Sequence, residues 1–402
     1  MTASTTAVLT EQALPGRTES LRRKALTAGA AGLGVWLLLA LIPGTRAAAL
    51  PAYLAAYVFF VGISVGSLGF LMLHHLVGGK WGFVVRRPME AATMVLPLMA
   101  ALFLPLLLGV GTLYEWANPE AVKASTILQH KTGYLNVPFW LGRTVFYFAV
   151  WIGLAFAIRR GSVAQDATED PSPTYRNRTI SAPGLLVTFL TVTFASIDWM
   201  MSIEPEWYST IYGVMVMIGW MLSTLAFTIL VSSRLSDVRP LADVVDPVGL
   251  NELGNLLLAF TMLWAYMSFS QYLIIWMGDL AEEIPWYLKR SYGGWRWVCG
   301  ALIVFHFFVP FFCLLLRSNK GKASRLWKVA AWLLVIHQVN DAWLIIPAFP
   351  TQWLQLLALI PAVAGVGGLW VAFFTRNLTS RTLVPHHDPL LAEALSHHGG
   401  GH

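Results

Sequence analysis

Cysteine and charge are what this chain has least of. Its two cysteines, Cys299 and Cys313, fall in one apolar run. Fourteen residues separate them, roughly 21 Å along a helix axis, so they can neither bridge each other nor assemble an iron–sulfur or structural zinc site. Any redox centre is therefore expected in a partner. Charged residues make up only 12% of the 402, about half the share of a soluble domain. No lysine falls at mid-membrane depth, which excludes a retinal-type Schiff base. The longest polar stretch, 159–182, is too short for a separate soluble domain. The remainder is apolar: 56% hydrophobic with mean hydropathy +0.61, which excludes soluble nucleotide-fold enzymes, nucleic-acid binders and secreted disulfide scaffolds.

A spanning helix needs about 20 mainly apolar residues. Ten stretches qualify: 25–43, 51–76, 91–113, 137–158, 183–203, 211–232, 250–277, 296–316, 326–347 and 353–374. The expected fold is an all-α integral membrane protein. It has an N-terminal tail over 1–24, a ten-helix domain over 25–374 and a His- and Gly-rich tail over 375–402, read as disordered. Of the 27 Lys and Arg, twenty fall on the side of the two tails and seven on the other. Basic loops are retained in the cytoplasm, so both termini are expected there. A reporter fused after His402 should accordingly stay cytoplasmic, and its activity on the other side would overturn both the orientation and the even helix count. Arg22-Arg23-Lys24, the following apolar run and Ala47-Ala48-Ala49 imitate a signal peptide, but the run extends through Ile42 and Pro43 after a long polar tail, which favours a retained helix.

Nine of the eighteen tryptophans (116, 140, 199, 207, 286, 295, 297, 343 and 353) sit at or beyond the ends of helices opposite the tails. An interfacial belt explains some of them. A docked partner explains an excess on one side, with Glu204, Trp207, Tyr208, Glu282, Glu283 and Trp286 as its contacts. The fifth and ninth stretches echo each other, Asp198-Trp199 with Pro205 and Trp207 against Asp341-Ala342-Trp343 with Pro347 and Trp353. A repeat of four helices predicts two four-helix bundles, helices two to five and six to nine, with the first and tenth peripheral.

Ionisable residues at membrane depth are costly, so each is a functional candidate. On helix nine, His337, Asn340 and Asp341 share one face at i, i+3 and i+4. On helix five, Thr188, Thr191, Asp198 and Ser202 form a stripe that reads either as a proton ladder or as hydroxyls bonded to their own backbone. Helix seven carries Glu252 and Asn255 near one end and Tyr266 and Ser270 further along the same face. His306 matches His337 in depth, so a shared b-type haem is one reading, though a weak one. His74 and His75 read as interfacial, and Arg143 either snorkels or pairs with Glu115 or Asp198. No set of metal ligands emerges.

Three segments, Asp198–Gly213 (DWMMSIEPEWYSTIYG), His130–Phe139 (HKTGYLNVPF) and Leu263–Arg290 (LWAYMSFSQYLIIWMGDLAEEIPWYLKR), resemble the NrfD-like, polysulfide-reductase-type membrane subunits. The closest likeness is to the smaller such subunit of alternative complex III, a quinol:cytochrome c oxidoreductase, and it runs from about residue 50 to 375. It implies a subunit that binds no cofactor itself and works beside a larger NrfD-like subunit. Iron–sulfur and haem c partners on the periplasmic face would carry the electrons, and a terminal oxidase is a further partner. Quinol or menaquinol is then the substrate, with lipid around it and no nucleic acid. A polar path through Asp198, Glu252, His337 and Asp341 is implied; Asn255, Tyr266 and Asn340 lie beside it, and His337 and Asp341 are candidate quinone contacts. The competing classes are a purely structural anchor for redox partners and a secondary transporter. The transporter is disfavoured because Pro97, Pro105 and Pro310 do not recur as a matched pair in the two halves.

Overall fold

The computed structural model describes residues 14–350, 352–385, 387–389 and 391, and among them every regular element is helical. The last histidines, His397, His398 and His402, lie outside the described residues, as do residues 1–13. Ten helices are long and apolar enough to cross a membrane: α1 Thr18–Leu41, α2 Pro43–Val77, α3 Lys80–Leu108, α4 Val137–Asp166, α5 Ser172–Ile203, α6 Tyr212–Arg234, α7 Pro247–Gly278, α8 Trp295–Leu315, α9 Ala323–Ala348 and α10 Trp353–Leu378. The chain is a multi-pass helical protein, the form a bilayer imposes by offering backbone groups no water. α1 and α10 run antiparallel, Gly29 against Gly368 and Gly32 against Gly365, so the start of α1 and the end of α10 lie at one end of the bundle, here called the terminal face.

Helix starts follow the local chemistry. Asn136 and Asp246 cap α4 and α7, accepting from Phe139 N and Gly249 N, and a proline sits in the first turn of each. α3 is broken near Met94 and Phe103, just before Pro97 and Pro105, which cannot donate to the helical ladder. Several helices outrun their apolar stretches at the terminal face. α4 continues to Asp166 and α5 begins at Ser172, so the polar stretch 159–182 is mostly helix rather than loop. Arginines at such helix ends keep their heads at the interface, which lets the helix project beyond the hydrocarbon.

α2 is the axis of the molecule. Its most apolar window is 94% buried, and it packs against α1, α3, α5, α6, α9 and α10. Thr224 Oγ1 on α6 donates to Ile63 O of α2 at 3.1 Å, fixing the two central helices side by side. α3 contacts α4, α4 contacts α5 and α5 returns to α2, while α6, α7, α8 and α9 contact one another in sequence and α9 returns to α6.

α1 and α10 meet backbone to backbone. A Cβ on Gly32 would lie 2.5 Å from Gly365 N, and one on Gly368 would lie 2.5 Å from Gly29 N. Small residues at such crossings let transmembrane helices gain van der Waals contact where lipid offers no hydrophobic drive. Gly32→Leu is therefore expected to part α1 from α10 and to lower the unfolding midpoint in detergent by several degrees; an unchanged midpoint would show that the crossing contributes nothing.

The segment after α10 is not a free tail in its described part. Gln165 Nε2 donates to His387 O at 2.9 Å, Arg86 pairs with Asp388, and Leu383, Val384 and Leu391 are buried. It folds across the terminal face as a strap, held by polar bonds that a composition rich in His and Gly conceals.

Candidate functional site

The most unusual chemistry lies at mid-depth between α8 and α9. His337 is about 21 Å along α9 from its start, by helical rise. The rings of His306 and His337 stack with centroids 5.3 Å apart, and Trp264 of α7 stands edge-on to His306 at 3.8 Å. Asp341 Oδ1 lies 3.8 Å from His337 Nε2, one helical turn on. All three side chains are buried, and both ring nitrogens of each histidine, together with Asp341 Oδ2, have no hydrogen-bond partner. Buried polar atoms are normally satisfied, so five unsatisfied ones in a single group require an explanation. Gly219 of α6 makes room for it, since a Cβ there would approach His337 Cε1 to 2.7 Å. Asn340 is buried beside Asp341.

His306 lies in a π-helical turn, Ile303–Phe308, interrupting α8. Such turns in an α-helix are frequent at functional sites because they re-aim a side chain. No pattern in the sequence marks one. The stacked arrangement does not fit a haem: two axial imidazoles must point at one iron from opposite faces of the macrocycle, and stacked rings leave no space between them.

From Asp341 the polarity continues to the face opposite the termini. Tyr212 is buried at the start of α6, edge-on to the rings of Trp207 and Trp286. Glu204 is held by Lys289 at 2.9 Å and Arg290 at 2.7 Å, and Arg290 also donates to Leu344 O at 2.8 Å and lies over the Trp286 ring. Burial pulls the Arg290 guanidinium below its ordinary value, opposed by the carboxylate of Glu204. Helix nine is thus joined at Leu344 to the 204–208 loop by Arg290, which the sequence reading did not single out.

Asp198 belongs to a separate cluster. Arg143 donates to both its oxygens at 2.8 Å, and Tyr147 OH donates to Oδ2 at 2.6 Å. Of the two partners considered for Arg143, Asp198 is the one it takes. The carboxylate is completely enclosed and fully paired, which suits a helix tie better than a proton carrier. The hydroxyl stripe is likewise spent on local bonds: Thr191 to Val187 O at 2.8 Å and Ser202 to Asp198 O at 2.7 Å. Thr188 alone keeps a buried, unpartnered hydroxyl.

Helix seven departs from the expected path. Glu252, Asn255 and Tyr266 all lie on its outward face, Tyr266 being 65% exposed, so none of them faces the histidine group. Asn255 instead accepts from Lys320 Nζ at 2.6 Å. The inward face carries Thr261, Trp264 and Gln271, the last accepting from Ser209 at 2.6 Å. A polar residue recurring at helical spacing says which residues share a face, but not which way that face turns.

The tryptophan excess has an internal cause. Trp116, Trp140, Trp199, Trp207, Trp286 and Trp295 are buried within the chain and Trp343 is half-buried, leaving only Trp297 and Trp353 exposed. Trp207 stacks on Trp286 at 4.6 Å, and Trp140 Nε1 and Trp116 Nε1 donate to Asp198 O and Ser202 O. Of the expected docking residues, Trp207 and Trp286 are therefore core and Glu204 is ion-paired, while Tyr208 and Glu282 are exposed and Glu283 is half-buried.

A second buried charge cluster closes the terminal face. Glu90 binds Arg86 at 3.1 Å and Arg87 at 2.6 Å and accepts from Ser162 at 2.7 Å, and Arg87 also reaches both oxygens of Asp166 at 2.6 Å. The i, i+3 and i, i+4 spacing of Arg87 and Arg86 to Glu90 is legible in the sequence. His74 and His75, read as interfacial, are buried next to it. Neither a protein-family model nor a characterised protein matches the chain.

Proposed function

We propose that this chain is a membrane subunit of a respiratory quinol:electron-acceptor oxidoreductase of the alternative complex III type, moving protons while partner subunits carry electrons. The observation that carries the reading is the buried group of His306, His337 and Asp341, whose free nitrogens and oxygen can take up and pass on a proton at mid-membrane. Quinol oxidation releases two protons with its two electrons, so the complex needs such an acid–base group and an exit. The Glu204–Arg290 pair, tied by Arg290 to Leu344 O of α9, is the exit toward the opposite face in this reading. The arrangement proposed is two four-helix bundles, α2–α5 and α6–α9, flanked by α1 and α10, in the bacterial inner membrane with both termini cytoplasmic. Iron–sulfur and haem c subunits then sit on the periplasmic face, beside a larger paralogous membrane subunit. Support comes from the segments resembling NrfD-like subunits and from the helix contacts.

A second reading, a structural anchor, draws on the fully paired Asp198 cluster and the tryptophan-packed face, both of which hold helices without titrating. The test that separates them is proton release by the complex carrying Asp341→Asn.

A further inference from the structure

A cleft at the terminal face is lined by Arg87 of α3, Arg159 of α4, and Asn377, Arg381 and Thr382 at and beyond the end of α10. The carboxylates around it are already engaged. Glu90 is taken by Arg86, Arg87 and Ser162. Asp166 is held on both oxygens by Arg87, so Arg381 approaches it only to 3.6 Å. Arg381 Nη1 is buried without a hydrogen bond, and Arg159 makes no hydrogen bond or ion pair among the described residues. Burial first, and then the neighbouring guanidinium of Arg87, pulls Arg381 below its ordinary value, opposed in part by Glu90 and Asp166. The free space is about 10 Å³, room for one oxygen of a ligand, so its body must stay at the mouth. Exposed Arg160 and Arg376 flank the lining residues in sequence.

We propose that this cleft binds a phosphate group, supplied by the headgroup of an anionic phospholipid in the terminal-face leaflet, with Arg159 and Arg381 as its ligands. Arginine suits phosphate oxygens through its fork of donors, and basic pockets between transmembrane helices on the cytoplasmic side recognise such headgroups. Because Arg381 belongs to the strap, the bound phosphate also fastens the strap to α4.

The test uses the full-length chain, delipidated in detergent and returned to nanodiscs of pure phosphatidylcholine or of phosphatidylcholine with one-fifth phosphatidylglycerol. Phosphatidylglycerol should raise the unfolding midpoint by several degrees and be retained through washing. Millimolar inorganic phosphate added to the phosphatidylcholine discs should do neither. Arg159→Gln with Arg381→Gln should reduce phosphatidylglycerol retention at least tenfold, and Arg160→Gln with Arg376→Gln should leave most of it. If the double cleft variant does not fold, Arg159→Gln alone decides, since that side chain has no partner to lose. Equal retention by cleft variant and parent overturns the site; full protection by inorganic phosphate without a preference for phosphatidylglycerol overturns the lipid as its source.

Discussion

If the chain belongs to the proposed complex, Asp341→Asn should lower quinol-driven proton release by that complex at least tenfold while the partners' haems stay in place. The substitution keeps the volume of the side chain and removes only its capacity to ionise. Oδ2 has no hydrogen-bond partner, Oδ1 stands 3.8 Å from His337, and the bond with Asn340 can be kept by the amide oxygen of asparagine. Packing against α6 should survive, because the close fit there is between His337 and Gly219. A positioned acid–base group typically contributes 10²–10⁴-fold to its step, and tenfold is the floor if water partly substitutes for it. The measurement is stopped-flow acidification by proteoliposomes, normalised to haem c content. Unchanged turnover and proton yield in the assembled variant would reduce the group to a packing contact and favour the structural anchor. Recovery of the chain without any haem-bearing partner would remove the proposed complex altogether.

Arg143→Leu is expected to be the most destabilising single change at the opposite face, by about 3–5 kcal/mol, the cost of leaving a buried partner charge uncompensated. Asp198 would keep only Tyr147, and the guanidinium stacked on Tyr134 at 3.8 Å and Phe139 at 4.3 Å would be lost as well. Combining Arg143→Leu with Asp198→Asn should restore most of the unfolding midpoint, because the uncompensated charge is then gone. The two variants and their combination form a cycle read from thermal unfolding in detergent. A neutral Arg143→Leu would mean that Asp198 does not depend on its partner, and would return it to the set of groups able to carry protons.

The ten spans are legible in the sequence because bilayer thickness demands some 20 apolar residues from each, whatever they pack against. The same demand hides what lies inside. α2 and α8 are both apolar all round, yet one is the axis of the bundle and the other turns much of its surface outward. In a membrane the outward face is as apolar as the core, so hydropathy cannot rank them. His337 and Asp341 emerge together because i, i+4 spacing is a property of one helix. His306 joins them only through the register of α8 against α9 and a π turn, neither of which is written in a residue pattern. Asp198 and Glu252 look alike as lone acids, but one is sealed by Arg143 and Tyr147 and the other faces outward. The tryptophans stand out by number, and only the fold shows that the indole N–H groups of Trp116 and Trp140 are spent on carbonyls within the chain.

The glycine crossing of α1 on α10 also sets a clock for biogenesis. Gly32 and Gly365 are about 330 residues apart, and a ribosome adds roughly 5–20 residues per second. The first span therefore waits on the order of 20–60 s in the bilayer before its mate is made. During that interval its row of glycines is open to any other helix with a small-residue stripe, and membrane quality-control proteases can sample it. Chains stalled before residue 365 should be recognised and cleared through this unpaired stripe.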